Sequence, residues 1–174
     1  MDDLLAVVAI ALAAVLIVAG ASKLAAPGQL ADSARAVLGM NAEPVLLARA
    51  AGAVELAAAV LVSLPGLALP GAVLGMLVGL GIAGWVALAL RRRVTASCGC
   101  FGGNSRKPLG MSNLLAGLGI AAGFGLLIAA GGFVPSWGAA AQLAAAATCA
   151  LSTVLVMRFG DFYPLLKKGL GAGQ

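Results

Sequence analysis

The sequence predicts an all-α integral membrane protein, and three observations carry that prediction. Of the 174 residues, 62% are hydrophobic and 10% charged, whereas an ordinary soluble domain is roughly 45–50% apolar and about 25% charged. The apolar residues gather into stretches at about 4–25, 44–64, 68–90, 112–133 and 137–158, each near the roughly 20 residues a helix needs to cross a hydrocarbon core of about 30 Å. The stretches also lack the alternating, ten-residue pattern of membrane β-barrels, which leaves helices to satisfy the backbone in lipid. Together these predict one domain of about five transmembrane helices, four forming a core and one peripheral. The composition excludes a soluble enzyme, a nucleic-acid binder and a disordered tail. The absence of histidine excludes a Ser–His triad, a His-ligated haem and a His-rich zinc site.

The elements follow in chain order. The first span begins with the acidic Met1-Asp2-Asp3 and runs too long for a signal peptide, so it reads as retained although Ala19-Gly20-Ala21 is small enough for a cleavage site. Residues 28–42 carry Gln29, Asp32, Ser33 and Arg35 among small apolar residues, the pattern of a short interfacial helix. Leu64-Pro65-Gly66 and Val134-Pro135-Ser136 interrupt consecutive spans, because proline stops a helix and the next residue permits reversal. Spans two and three, and spans four and five, are therefore expected as antiparallel hairpins. Gly71, Gly75 and Gly79 on the third span, and Gly119 and Gly123 on the fourth, form small-residue stripes suited to close helix packing, within the bundle or against a partner. A loop at 91–111 separates those two spans, and a loose tail follows from 169 to 174. Ala19-Gly20-Ala21-Ser22-Lys23-Leu24-Ala25-Ala26 nearly repeats as Ala51-Gly52-Ala53-Val54-Glu55-Leu56-Ala57-Ala58.

Charge predicts orientation. With five spans, one side holds the N-terminus and the two short breaks, which contain no lysine or arginine, and the other holds all 11. The positive-inside rule then places the N-terminus outside, and the 91–111 loop and C-terminus in the cytoplasm, of a bacterial inner membrane. The net charge of +5 is an orientation and lipid signal, with Arg91–Arg93 placed for anionic headgroups, and does not suggest nucleic acid.

The chemistry concentrates in the 91–111 loop. Cys98-Gly99-Cys100 is bracketed by Arg91, Arg92, Arg93, Arg106 and Lys107, and nearby cations favour thiolate over thiol. The intervening glycine lets the backbone bend so that the sulfurs can meet, and a small strained disulfide is exchange-competent. The pair reads as a redox-active dithiol. Alternatives are an inert pair of small apolar residues, or two soft ligands for Cu(I) or Zn(II), with further ligands drawn from another chain. Cys149 lies in the fifth span about nine residues, or about 14 Å, from its cytoplasmic end; it reads as a packing residue or as a resolving thiol. Glu55 lies near the middle of the second span, where a carboxylate is expensive and faces the bundle interior or a cavity. It is a candidate proton site or a structural one. Arg49 is about 120° away around the same helix, so Lys23 of the first span is its better partner.

Cys98-Gly99-Cys100-Phe101-Gly102 after a third span, with Gly20, Lys23, Leu24 and Pro27 closing the first span and Glu55-Leu56 in the second, resembles the MauE family of the DoxX-like membrane proteins over about residues 10–133. The resemblance implies a redox-associated membrane protein that supports maturation of a disulfide-rich periplasmic enzyme, methylamine dehydrogenase, alongside a thioredoxin-like partner. It implies Cys98 and Cys100 as the redox pair and leaves Glu55 and Lys23 without a settled role. Disulfides form outside the cytoplasm, whereas the charge count puts this loop inside. Either the protein carries reducing equivalents across the membrane from a cytoplasmic donor, or the loop folds back into the bundle, or the topology is inverted. The charge count is the stronger signal.

The expectation from sequence is therefore a membrane thiol–disulfide oxidoreductase in the lipid bilayer, with a quinone left open as a cofactor. Two rivals stand beside it. One is a non-catalytic subunit or assembly factor of a larger membrane complex, for example a respiratory one. The other is a metal-binding or transport protein that depends on Glu55.

Overall fold

The computed structural model describes residues 2–39, 44–94, 110–130, 141, 144–149 and 151. Its helices are α1 (Asp2–Ala25), α2 (Gly28–Leu38), α3 (Val45–Ser63), α4 (Ala68–Arg91) and α5 (Met111–Ala129); residues 144–149 are also helical, and no strand occurs among the described residues. Four helices, α1, α3, α4 and α5, are long and apolar enough to cross a membrane, and they correspond to the first four predicted spans. The fifth predicted span lies largely outside the described residues. So do Cys98, Cys100 and the C-terminal tail.

The four long helices pack in a ring, α1 on α3, α3 on α4, α4 on α5 and α5 on α1. Contacts across each close pair run in opposite chain order: Gly20 meets Leu56 while Gly52 meets Leu24, and Gly75 meets Phe124 while Gly117 meets Ala83. The bundle is therefore up-down-up-down. The core is built largely from alanine, with Leu16, Phe124 and Leu127 as its large buried side chains, and Ala146 of the 144–149 segment packs into the same cluster. Small side chains let helices approach closely, which matters in lipid because burial from water contributes nothing there and dispersion must hold the interface.

The α3–α4 reversal is the tight break expected from sequence. Leu64-Pro65-Gly66-Leu67 closes with a Leu67 N–H to Leu64 carbonyl hydrogen bond of 3.1 Å, and Gly66 has φ 79°. A type II turn requires that left-handed conformation at its third residue and favours proline at its second. The short connection brings α4 so near α3 that a Cβ at Gly71 would sit 2.2 Å from the Val62 backbone nitrogen.

Helix α2 is a short helix within the 28–42 segment expected to hold one. Ala31, Ser33, Ala34 and Val37 are its buried face, while Asp32 and Arg35 form an exposed ion pair at 3.2 Å. Gly39 ends it with φ 67° and an N–H bond to the Arg35 carbonyl, the left-handed C-cap that glycine adopts without a Cβ penalty. The helix lies at the bundle end made by the close of α1 and α4 and the start of α3, which also carries Lys23, Arg49 and Arg91–Arg93.

The two glycine stripes are used differently. On α4, Gly71, Gly75 and Gly79 all pack inward, against α3 and α5. On α5 the inward face is Gly117, Ala121 and Phe124, spaced by four and three residues. Gly119 faces open space and Gly123 meets Leu12 of α1. The periodicity of buried Phe124 sets that face, and a two-glycine pattern could not.

Gly71→Ala should lower the melting temperature, by a destabilisation of about 1–3 kcal/mol for overpacking against backbone. Gly84→Ala, where a Cβ meets nothing within 4 Å, should leave it unchanged or raise it. Circular dichroism melts in detergent check both; equal effects would mean that the close α3–α4 approach does not govern stability.

Candidate functional site: a buried ion pair beside a membrane-facing cavity

The near-repeat in the sequence becomes a crossing of two helices. A Cβ at Gly20 would lie 2.7 Å from the Gly52 carbonyl oxygen and 2.9 Å from the Leu56 side chain; one at Gly52 would lie 2.8 Å from the Gly20 carbonyl oxygen and 3.3 Å from the Leu24 side chain. Equivalent residues exchange equivalent contacts, so the crossing has local two-fold character. Glycine is required at both positions because each helix rests on the other's backbone.

Three residues beyond each glycine stand Lys23 and Glu55. The Lys23 Nζ donates to Glu55 Oε1 and Oε2, both at 2.7 Å, with the two residues 3% and 2% exposed. The partner favoured by helix geometry is thus the one observed, while Arg49 is exposed. Because the helices are antiparallel and close, the long lysine stem can run along the interface to a carboxylate on its neighbour. Two charges this deep are tolerated only where each satisfies the other.

Beside the pair is a cavity of about 390 Å³ bounded by α2, α3, α4 and the Lys23 end of α1. Its wall is almost wholly apolar; Lys23 and Glu55 are the charged residues that line it, and Trp85, whose indole N–H is taken up by Ser33, lines it too. Leu47, Val54 and Leu77 at its margin are 52%, 41% and 56% exposed, so the cavity opens on the outer face of the α3–α4 pair, where lipid lies. Helix α2 covers one end. It is held there by a Trp85 Nε1–H bond of 3.3 Å to the buried Ser33 Oγ, by the Arg92 guanidinium donating to the Val37 carbonyl, and by Val37 packing with Val86 and Ala89.

The model of the family described as Methylamine utilisation protein MauE matches residues 1–131. The chain belongs to the MauE family. No curated protein and no solved structure shows a significant match to it. The family region takes in α1 to α5, the Lys23–Glu55 pair and the sequence of the Cys98–Cys100 loop. With its four membrane-length helices, this MauE chain is a multi-pass membrane protein.

Of the residues singled out from sequence, the structure brings Glu55 and Lys23 together. Cys149 is exposed on the 144–149 segment and lies beyond the family match; Cys98 and Cys100 lie outside the described residues. Sequence reasoning missed the cavity and the Ser33–Trp85 bond. The available signal was Trp85 itself, which sits too far inside its span for an interfacial anchor and so needed another partner for its N–H.

Lys23→Met or Glu55→Leu alone should each destabilise the bundle by about 3–5 kcal/mol, since each strands a buried charge. The double variant should recover most of that loss. A double-mutant cycle on melting in detergent measures the coupling; additive losses would mean that the pair does not act as a unit.

Proposed function

We propose that this MauE-family protein is a membrane thiol–disulfide redox protein that uses Cys98 and Cys100 to support maturation or redox cycling of a partner in methylamine utilisation. The observation that carries the reading is the Cys98-Gly99-Cys100 pair among five cationic side chains, within the residues matched by the family. A thiolate of one cysteine attacks a partner disulfide; that S–S bond breaks as a mixed disulfide forms and one partner thiolate leaves. The second cysteine, as its thiolate, attacks the mixed disulfide and releases the other partner thiolate. The Cys98–Cys100 pair is oxidised by two electrons, the partner disulfide is reduced by two, and the two protons lost by the pair balance those gained by the partner thiols. A thioredoxin-like protein fits the partner role.

The charge asymmetry supports a cytoplasmic loop. All six described lysines and arginines, Lys23, Arg35, Arg49 and Arg91–Arg93, lie at or near one end of the bundle, and the opposite end, with the Leu64–Leu67 turn, has none. The Gly71, Gly75 and Gly79 face of α4 is used within the chain, so that stripe is not left over for a docking partner.

Cys98→Ser and Cys100→Ser should each abolish exchange with a disulfide-bonded thioredoxin-like protein while leaving the melting temperature unchanged. One of the two should trap a mixed disulfide visible on non-reducing gels. Exchange retained in both single variants would overturn the reading. In intact cells, a membrane-impermeant maleimide should label the pair only after permeabilisation, and more strongly after mild reduction; labelling from outside would invert the topology.

A further inference from the structure

The cavity beside Lys23 and Glu55 has a chemistry that the dithiol does not explain. It is apolar, it opens toward lipid, and its polar groups are an ammonium and a carboxylate at one place on its wall. An occupant must therefore arrive through the bilayer and carry a small polar group at one edge of an otherwise apolar body. A phospholipid headgroup is too polar for this wall, and a fatty acid would set its own carboxylate against Glu55. A flat ring bearing a carbonyl or hydroxyl meets both demands: a carbonyl oxygen accepts from Lys23, a hydroxyl donates to Glu55, and the ring lies among Trp85, Gly81 and the leucines. Lys23 can exchange one of its two bonds to the carboxylate for one to a carbonyl, so the pair need not separate. The cavity of about 390 Å³ is at the lower end of the range of small-molecule pockets, roughly 300–1,000 Å³, which suits a ring and the start of its tail. The opening between Leu47, Val54 and Leu77 lets the tail remain in the acyl chains.

We propose that this cavity binds the ring of a lipid-soluble quinone or its quinol, with Lys23 and Glu55 holding the oxygen at one edge. The site is separate from the cysteine pair, and its occupancy does not rest on the thiol–disulfide reading.

Gly81 supplies the test. It lines the cavity, yet a Cβ there meets nothing within 4 Å, so Gly81→Leu fills the space without disturbing the helix contacts. The chain has two tryptophans, and a Trp137→Phe background leaves Trp85 as the reporter. In lipid nanodiscs, decylubiquinone should quench Trp85 fluorescence saturably, and Gly81→Leu should weaken that binding at least tenfold. Gly119→Leu, on the outward face of α5, should bind normally, as should the Cys98→Ser/Cys100→Ser double variant. Loss of exchange with binding retained would mark the two sites as independent; normal exchange with no binding would overturn this proposal alone. Quenching that rises linearly with quinone in the lipid and is the same in Gly81→Leu would also overturn it. Displacement by equimolar oleate would assign the cavity to an acyl chain instead. If Gly81→Leu turns a dimer into a monomer and quinone changes nothing, the face is an interface between copies of the chain.

Discussion

The Lys23–Glu55 pair is the constraint around which the described structure is arranged. Two charges buried between apolar helices can persist only with bidentate geometry and exclusion of lipid. That geometry requires α1 and α3 to cross at nearly backbone contact, which Gly20 and Gly52 permit. With the crossing fixed, α4 is placed by the four-residue turn after α3, and α5 by the fit of Phe124 over Gly75. The ring of helices closes when α5 returns to α1 at Gly123 and Leu12. A charged pair usually adds little net stability relative to an apolar replacement. Its value here is register, since sliding either helix by one residue would rotate a charge out of the interface by about 100°.

Much of the fold was legible in the sequence because membrane helices obey simple limits. Length and apolarity set the four spans that the structure describes, and Pro65-Gly66 set a reversal between two of them. The polar residues within 28–42 marked a helix too short to cross, and the structure ends it at Leu38. Other features depend on three-dimensional packing. Gly119 and Gly123 form a stripe by spacing alone, but the inward direction of α5 is fixed by Phe124 and Ala121, and Gly119 is left facing outward. Spacing identifies neighbours on one helix and cannot say which neighbour helix they meet.

The candidate site shows the same division. Glu55 stood out as a carboxylate within a span, and Lys23 followed as the cation able to reach it, because charge in a membrane demands a partner. The cavity did not stand out, because its wall is made of the same leucines, valines and alanines as the core. What distinguishes it is an absence of packing between α3 and α4 under α2, and absence leaves no mark in a composition. Trp85 and Ser33 are the nearest to a trace. Each carries a polar group among apolar neighbours, and each is accounted for by the other across 52 positions of chain.

The position of Val94 bounds where the proposed dithiol can act. Val94 follows α4 and packs at the α2-bearing end of the bundle with Val37, Val86 and Ala89, held by an N–H bond to the Ala89 carbonyl. Cys98 is four residues further and Cys100 six, so a fully extended chain carries them at most about 14 Å and about 21 Å from Val94. Helix α4 has 24 residues and is about 36 Å long. Chain length alone thus keeps the pair short of the far end of the bundle, and under the proposed redox reading an exchange partner would meet it nearer the cation-bearing end. That end also holds the cations that favour thiolate. Under the proposed cytoplasmic orientation the partner supplies or receives electrons on the inner side, and delivery to an exported protein then requires a carrier through or along the membrane.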